Sequence, residues 1–161
     1  MWVCRAGKDA IYINYFIRKE RIYLAWTGFR INLYEINDKK EYRSLVSKEM
    51  GTTNTTSISN WTGQLLAFVK EMQVGDKVLI PYKGSRSFAL VSIRGSYEFN
   101  EKDEASLYHS RKVEVDAISI PADIFPQNIK YGLRAYRTIY KVKNEDYILD
   151  LINKWKKENS N

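Results

Sequence analysis

Hydrophobic and polar residues alternate along this chain with two periods, one typical of β-strands and one typical of α-helices. Residues 21–27 alternate one by one, so that Ile22, Leu24 and Trp26 share one face of a predicted strand. Residues 59–72 instead repeat every three to four positions, which predicts an amphipathic helix. The apolar face of that helix carries Trp61, Leu65, Phe68 and Met72.

Over the whole chain, these two periods predict more strands than helices. Strands are predicted at residues 2–6, 21–27, 77–82, 87–99, 108–120 and 138–143. Helices are predicted at residues 10–19, 39–50, 59–72 and 145–157. Several strands follow one another without a helix between them. This order favours an α+β fold in which helices flank a small twisted β-barrel.

Glycine and short polar residues mark the ends of several elements. Asp9 is predicted to cap the first helix, and Gly51 to stop the second. Gly95 predicts a β-bulge within the fourth strand. Residues 52–57 are predicted to form a polar loop that precedes a third helix beginning at Ser59.

Basic residues outnumber acidic ones and are grouped along the chain. The formal net charge is +7 and the pI is near 9.4, values typical of proteins that bind polyanions such as nucleic acids. Residues 77–94 and 126–143 together carry nine basic residues and no acidic one. This grouping predicts a positively charged face, although the solvated surface of an ordinary basic protein has a similar composition.

Residue types that commonly carry catalysis or bind metals are scarce. Cys4 is the only cysteine and His109 the only histidine, so the chain has neither an internal disulfide nor the usual zinc ligands. His109 is expected to have a structural role. The best catalytic alternative is a nuclease site at Glu114 and Asp116, but no further carboxylate or lysine follows them closely. The sequence therefore predicts a binding protein with no catalytic residue, no metal and no cofactor.

The sequence also predicts a location in the cell. Residues 1–6 have the wrong length and order for a signal peptide, and no apolar run is long enough to span a membrane. A single cysteine is compatible with a reducing compartment. We therefore expect a cytoplasmic protein with no membrane partner.

Five short motifs follow one another in a distinctive order. They are Trp2-Val3-Cys4-Arg5-Ala6-Gly7, Leu24-Ala25-Trp26, Asn60-Trp61-Thr62-Gly63-Gln64-Leu65, Met72-Gln73-Val74-Gly75-Asp76 and Arg111-Lys112-Val113. In this order they resemble an EVE-like domain of the PUA superfamily, and more narrowly the N-terminal domain of Mrr-type, modification-dependent restriction endonucleases. The resemblance covers residues 1–143. Residues 144–161 are expected to form a C-terminal helix, a candidate connector to a nuclease domain that this chain lacks.

The resemblance implies both a fold and a function. The fold is a PUA-like (EVE/YTH-like) β-barrel, and the function is to take a methylated or hydroxymethylated base out of nucleic acid into an aromatic pocket. The nuclease would be either a domain fused to this one or a separate partner protein. The base pocket is expected at Trp26, Ser59, Asn60, Trp61 and Tyr82. Contacts to the phosphate backbone are expected from Lys83, Arg86, Arg94, Arg111 and Lys112.

A pocket of this composition has a physical rationale. Extruding a base costs a few kcal/mol, and stacking it on an aromatic face returns roughly 1–3 kcal/mol. The polar side chains of Ser59 and Asn60 would pair with the base edge. Core packing is an alternative role for Trp26, Trp61 and Tyr82, and helix capping is an alternative role for Asn60.

Three other functions stay open at this point. The first is an RNA-binding module, since PUA relatives also recognise modified RNA. The second is a nuclease that uses Glu114 and Asp116, and the third is a protein-interaction domain that only keeps the fold. DNA that carries a modified base is the preferred partner.

Overall fold

One six-stranded β-sheet organises residues 1–160, which are the residues that the computed structural model describes. Its strands are β1 (Trp2–Cys4), β2 (Arg21–Tyr23), β3 (Lys77–Pro81), β4 (Ser87–Phe99), β5 (His109–Pro121) and β6 (Ile139–Lys141). Their order across the sheet is β2-β5-β4-β3-β1-β6. β1 and β3 run parallel, and the other neighbouring pairs are antiparallel. The sheet curls into a half barrel.

Five α-helices pack on this sheet. They are α1 (Ile13–Lys19), α2 (Lys39–Met50), α3 (Thr55–Leu66), α4 (Gln127–Gly132) and α5 (Glu145–Glu158). A π-helical turn, Ala67–Glu71, continues α3. Short 3₁₀ turns occur at Lys8–Ala10, Leu33–Glu35, Lys83–Ser85 and Ala122–Ile124.

Both faces of the sheet are buried, each under its own helices. Successive strand residues point to opposite faces, so Trp2 packs into a first core and its neighbour Val3 into a second. Helices α1, α2 and α3 cover the first core, and α4 and α5 cover the second. Because both faces are buried, β3 contains the continuous apolar run Val78-Leu79-Ile80 instead of an alternating pattern.

Several predicted elements are confirmed with their bounds. α2 spans residues 39–50 and β4 spans residues 87–99, as predicted. Gly51 ends α2 in the left-handed region, with a φ of 63°. The pairing of β4 with β5 shifts register between Ile93 and Tyr97, which confirms a bulge around Gly95. The α+β class is therefore confirmed, whereas the more specific PUA-like barrel stays a prediction.

The start of α3 differs from the prediction. The helix begins at Thr55, four residues before the predicted Ser59. The side chain of Asn54 caps it, because its Oδ1 accepts a hydrogen bond from the backbone N–H of Ser57 at 3.0 Å. Ser59 and Asn60 therefore lie in the second turn of the helix, and the alternative role of Asn60 as a helix cap is excluded.

The segments around Asp9 and Trp26 are less regular than predicted. Asp9 has a left-handed φ of 55° and does not cap α1, which begins at Ile13. β2 ends at Tyr23, so Trp26 lies in a segment without regular secondary structure. Gly28, with a φ of 83°, turns the chain within this segment.

Helix α5 packs against the second core. Ile148 and Ile152 are fully buried there, and the amino group of Met1 pairs with the carboxylate of Glu145 at 3.1 Å. The helix thus stabilises the sheet, while the division at residue 143 and the connector role of residues 144–161 stay predictions. No helix within residues 1–160 combines the length and the apolar character needed to cross a membrane.

Candidate nucleic-acid interface

Four strand ends meet at one edge of the sheet and enclose a cavity of about 660 Å³. The parallel strands β1 and β3 both end at this edge, and their antiparallel neighbours β6 and β4 begin there. The cavity is lined by residues 5–10 and 81–86, by Ala25, and by Arg134, Tyr136 and Thr138. We call it the basic cavity. Its volume lies within the range of about 300–1,000 Å³ that is usual for small-molecule sites.

The rim of the basic cavity carries positive charge. Lys8, Lys83, Arg86 and Arg134 line it and are exposed, and Asp9 is the one acidic residue among its lining. Within residues 1–160, none of these four basic side chains lies within 4 Å of a carboxylate. Their charge is therefore available to an anionic ligand such as a phosphate.

The wall of the basic cavity combines aromatic and polar groups. Tyr82 is half-buried and lines the cavity directly, next to Thr138. Trp26 stands behind Thr138, because its indole N–H donates to Thr138 Oγ1 at 3.0 Å. The ring of Trp26 also packs against Phe29, with 5.8 Å between the ring centroids. Trp26 therefore supports the wall, while Tyr82 and, at the rim, Tyr136 are the aromatic residues that line the cavity.

Left-handed backbone is concentrated around the basic cavity. Asp9, Ala10 and Ser85 line it with φ values of 55°, 55° and 53°. Such a conformation costs a non-glycine residue on the order of 1–3 kcal/mol, and it clusters at ligand sites. Gly7 has a φ of 80°, and a Cβ atom there would lie 2.7 Å from the ring of Tyr12. The turn at residues 7–10 is thus held in a shape that few sequences adopt.

A second cavity, of about 630 Å³, lies beside α3 and contains two of the predicted pocket residues. Ser59 and Asn60 both line it. Ser59 Oγ accepts a hydrogen bond from Arg43 Nη1 at 2.7 Å, and Asn60 Oδ1 accepts one from Gln64 Nε2 at 3.3 Å. The structure therefore separates Ser59 and Asn60 from Tyr82, so the five predicted pocket residues do not form one site.

Trp61 lines neither the basic cavity nor the second cavity. It is half-buried and packs against the first core. This placement corresponds to the core-packing alternative for Trp61.

The wall between the two cavities is a single segment, residues 134–139, which has no regular strand structure until β6 begins at Ile139. Arg134, Tyr136 and Thr138 line the basic cavity, and the alternate residues line the second cavity. Gln64 is buried and fixes this segment, because its Oε1 accepts hydrogen bonds from the backbone N–H groups of Thr138 and Ile139 at 2.9 and 3.1 Å. The shape of both cavities therefore depends on one side chain of α3.

The five predicted phosphate-binding residues are divided by the structure. Lys83 and Arg86 lie at the basic cavity. Arg94 is eight residues further along β4, roughly 25 Å of strand, and its Nε donates to Glu114 at 3.0 Å. Lys112 is exposed on β5, where it pairs in register with Arg21 of β2. Arg94 and Lys112 therefore lie along the hairpin, away from the turn that carries Lys83 and Arg86.

The prediction for Arg111 is wrong. Arg111 is only 4% exposed, because it lies on the same face of β5 as His109 and Val113, which are also buried. Its guanidinium donates to the backbone oxygens of Gly95 and Phe68 at 3.2 and 3.0 Å. Burial also lowers the pKa of Arg111. Its role is to satisfy buried carbonyl groups, and no phosphate can reach it.

The carboxylates of the alternative nuclease site are held in ion pairs. Glu114 pairs with Arg94, and Asp116 Oδ2 accepts hydrogen bonds from Lys77 Nζ at 3.1 Å and Ser92 Oγ at 2.6 Å. Within the described part of the chain, no three His, Cys, Asp or Glu side chains are grouped so that they would hold a metal ion. These contacts give both carboxylates a structural role on the sheet surface.

The single histidine is buried at the start of β5 and makes hydrogen bonds within the protein, as expected for a structural residue. His109 Nδ1 lies 2.6 Å from the hydroxyl of Tyr97, and Nε2 lies 2.7 Å from the carbonyl oxygen of Phe29. Since a carbonyl only accepts, Nε2 carries the proton and Nδ1 accepts from Tyr97. The Tyr97 hydroxyl in turn accepts from the backbone N–H of Leu33 at 3.1 Å. This network fixes residues 29–33, which follow Trp26.

Several residues at the site were not among those predicted. They are Arg5, Lys8, Gln64, Arg134, Tyr136 and Thr138. The acid-free run at residues 126–143 already indicated Arg134, and Arg5 and Gln64 belong to the quoted motifs. Only the fold, however, brings residues 5–10 next to residues 81–86 and 134–138.

Comparison with known proteins identifies a family. The family model of a domain of unknown function, DUF8426, matches residues 2–143. No curated protein and no solved structure matches the chain.

Proposed function

The chain belongs to the DUF8426 family, and we propose that it is a DNA-binding domain that takes a modified base into the basic cavity. In this proposal the half barrel is a PUA-like fold, and the modification is a methyl or hydroxymethyl group. The observation that carries the proposal is the basic cavity itself, in which exposed cations surround an aromatic wall.

The arrangement of charge supports a nucleic-acid ligand. Lys83 and Arg86 lie on one side of the cavity mouth, and Arg134 lies on the segment that forms another side. Phosphates on either side of an extruded nucleotide need cations at such positions. Because phosphate contacts carry no sequence information, this rim would supply affinity, and the cavity would supply selectivity.

The interior of the cavity supports recognition of a base. Extrusion costs a few kcal/mol of stacking, and a base stacked on Tyr82 would recover roughly 1–3 kcal/mol. The polar edge of the base would meet the hydroxyl of Thr138 and the backbone of the strained turns at residues 7–10 and 83–85. A methyl group that fills remaining apolar space contributes on the order of 1 kcal/mol.

We also propose that the domain binds without cleaving. The carboxylates of Glu114 and Asp116 are engaged by Arg94 and Lys77, and neither lines the basic cavity. Cleavage of the recognised DNA would then require a fused or partner nuclease. In this proposal the protein acts in the cytoplasm.

The proposal is tested with four DNA duplexes of one sequence. Three carry N6-methyladenine, 5-methylcytosine or 5-hydroxymethylcytosine, and the fourth is unmodified. We expect one modified duplex to bind about fivefold more tightly in fluorescence anisotropy, since 1 kcal/mol corresponds to that factor. Equal affinity for all four duplexes would refute recognition of a modification.

Two substitutions locate the binding site. Tyr82→Ala should remove the preference for the modified duplex while leaving salt-dependent background binding. Tyr147→Ala is the matched control, because Tyr147 is an exposed tyrosine on α5 that does not line the cavity. If RNA strands of the same sequence compete more strongly than DNA strands, the ligand is RNA, which the 2′-hydroxyl distinguishes.

A further inference from the structure

Tyr136 is the most exposed large apolar side chain within residues 1–160. It is fully open to solvent and lies on segment 134–139, at the rim of the basic cavity. A single exposed aromatic residue is common on protein surfaces. The position of Tyr136 is what distinguishes it, because Tyr131 is also highly exposed but lies on α4 and does not line the cavity.

The backbone on both sides of Tyr136 is fixed. The carbonyl oxygen of Ala135 accepts two hydrogen bonds from the guanidinium of Arg5, at 2.7 and 3.1 Å. The backbone N–H of Arg5 also donates to the carbonyl oxygen of Thr138 at 2.8 Å, and Gln64 holds the N–H of Thr138. Tyr136 thus projects from an anchored segment, so placing its ring in a ligand costs little additional backbone entropy.

Exposed cations flank Tyr136 along the chain. Arg134 and Arg137 lie two residues before and one residue after Tyr136, and both are exposed. Within residues 1–160, neither has a carboxylate within 4 Å. An aromatic side chain between two free guanidinium groups is suited to enter the base stack while the cations contact the phosphates on either side.

We propose that Tyr136 is a wedge that enters the DNA duplex and fills the gap left by the base taken into the basic cavity. This inference rests on the proposed function, since a gap forms only if a base is extruded. Removing a base from a duplex leaves two base pairs without a stacking partner, and apolar or aromatic wedges offset that loss. Tyr136 lies on the segment that also lines the cavity mouth, so the wedge and the cavity would act at the same nucleotide step.

The test compares a duplex with a single strand. The probes are the modified duplex that binds most tightly among the four above and its modified strand alone. A wedge matters only in the duplex, because a single strand has no paired stack to restore. We expect Tyr136→Ala to weaken duplex binding about tenfold and single-strand binding less than twofold, while Tyr136→Phe binds both like the wild type.

Tyr131→Ala is the matched control, because it removes another highly exposed tyrosine that does not line the cavity, and it should leave both affinities unchanged. If Tyr136→Ala binds the duplex as tightly as Tyr131→Ala does, the wedge is refuted and the proposed function stands. If Tyr136→Ala weakens duplex and strand equally, the residue is an ordinary contact and the wedge is again refuted. If the wild type binds no duplex, both proposals fail together.

Discussion

Acid should loosen the segment that follows Trp26, because protonation of His109 breaks the network that holds it. Neutral His109 donates from Nε2 to Phe29 and accepts at Nδ1 from Tyr97. A protonated imidazole carries a hydrogen on both nitrogens, so the Tyr97 hydroxyl would lose its acceptor. Tyr97 also accepts from Leu33, and the loss therefore reaches residues 29–33.

The size of this effect follows from the pKa. Burial lowers the pKa of His109 from its usual 6.5 to about 4. Between these two values the unfolded chain binds a proton at His109 and the folded chain does not, so stability falls as the pH is lowered through this window and is unaffected by His109 above it. At pH 5 the loss amounts to about 2 kcal/mol, and its limit below pH 4 is about 3 kcal/mol. His109 is only 1% exposed, so solvent screens this cost little.

The assay is urea unfolding at pH 7.5 and pH 5, followed by tryptophan fluorescence. The comparison variant is His109→Gln, whose amide can donate to the carbonyl of Phe29 but does not titrate. Carboxylates contribute equally to both proteins, so their effect cancels. The wild type should lose about 2 kcal/mol more unfolding free energy between the two pH values than His109→Gln does. An equal loss in both proteins would show that His109 does not titrate in this window.

Two further predictions concern the cavity. Lys83→Gln and Arg86→Gln should each reduce the slope of log K against log salt concentration for duplex binding by roughly 0.9. Arg94→Gln should leave the slope unchanged, because Arg94 is paired with Glu114. Anisotropy titrations from about 50 to 200 mM salt measure the slope. Gln64→Leu should lower the unfolding free energy, measured by urea unfolding, by about 2 kcal/mol or more, because two backbone N–H groups of segment 134–139 lose their acceptor.

Local sequence patterns predicted α2 and β4 with their bounds, because the residues of each element favour the same structure as its packing against the core does. α2 has a capping aspartate, Asp38, whose side chain accepts from Glu41 N, and a glycine stop at residue 51. β4 is long and strongly apolar, and its bulge is marked by a glycine. These features act within one element, so the sequence is sufficient to place them.

The predicted apolar face of the third helix is confirmed at Leu65, Phe68 and Met72, which are buried, whereas Trp61 is only half-buried. The side chains of Ile58, Thr62 and Leu65 are buried, at spacings of four and three. Thr62 interrupts this apolar pattern, so the periodicity favours Trp61, which is only half-buried.

The candidate site was less predictable than the fold because its contacts join distant parts of the chain. Arg5 meets Ala135, and Gln64 meets Thr138, across separations of 130 and 74 residues. No local sequence pattern shows which distant residues contact each other. A resemblance to a family indicates which positions matter, but not the direction in which their side chains point. Charge grouping succeeded only partly, since it identified Lys83 and Arg86 but could not show that Arg111 is buried.

The residues that anchor segment 134–139 bear on affinity although they need not contact a ligand. Gln64 is buried and Arg5 is half-buried, and both act on backbone groups of the wall between the two cavities. A base that enters the basic cavity would meet a wall whose position is already fixed, so binding would not have to supply the cost of ordering it. Substitution at Gln64 would therefore weaken binding by loosening the wall, whereas substitution at Tyr82 would weaken it by removing a contact. Only the first of these effects would also lower the unfolding free energy through the lost backbone hydrogen bonds.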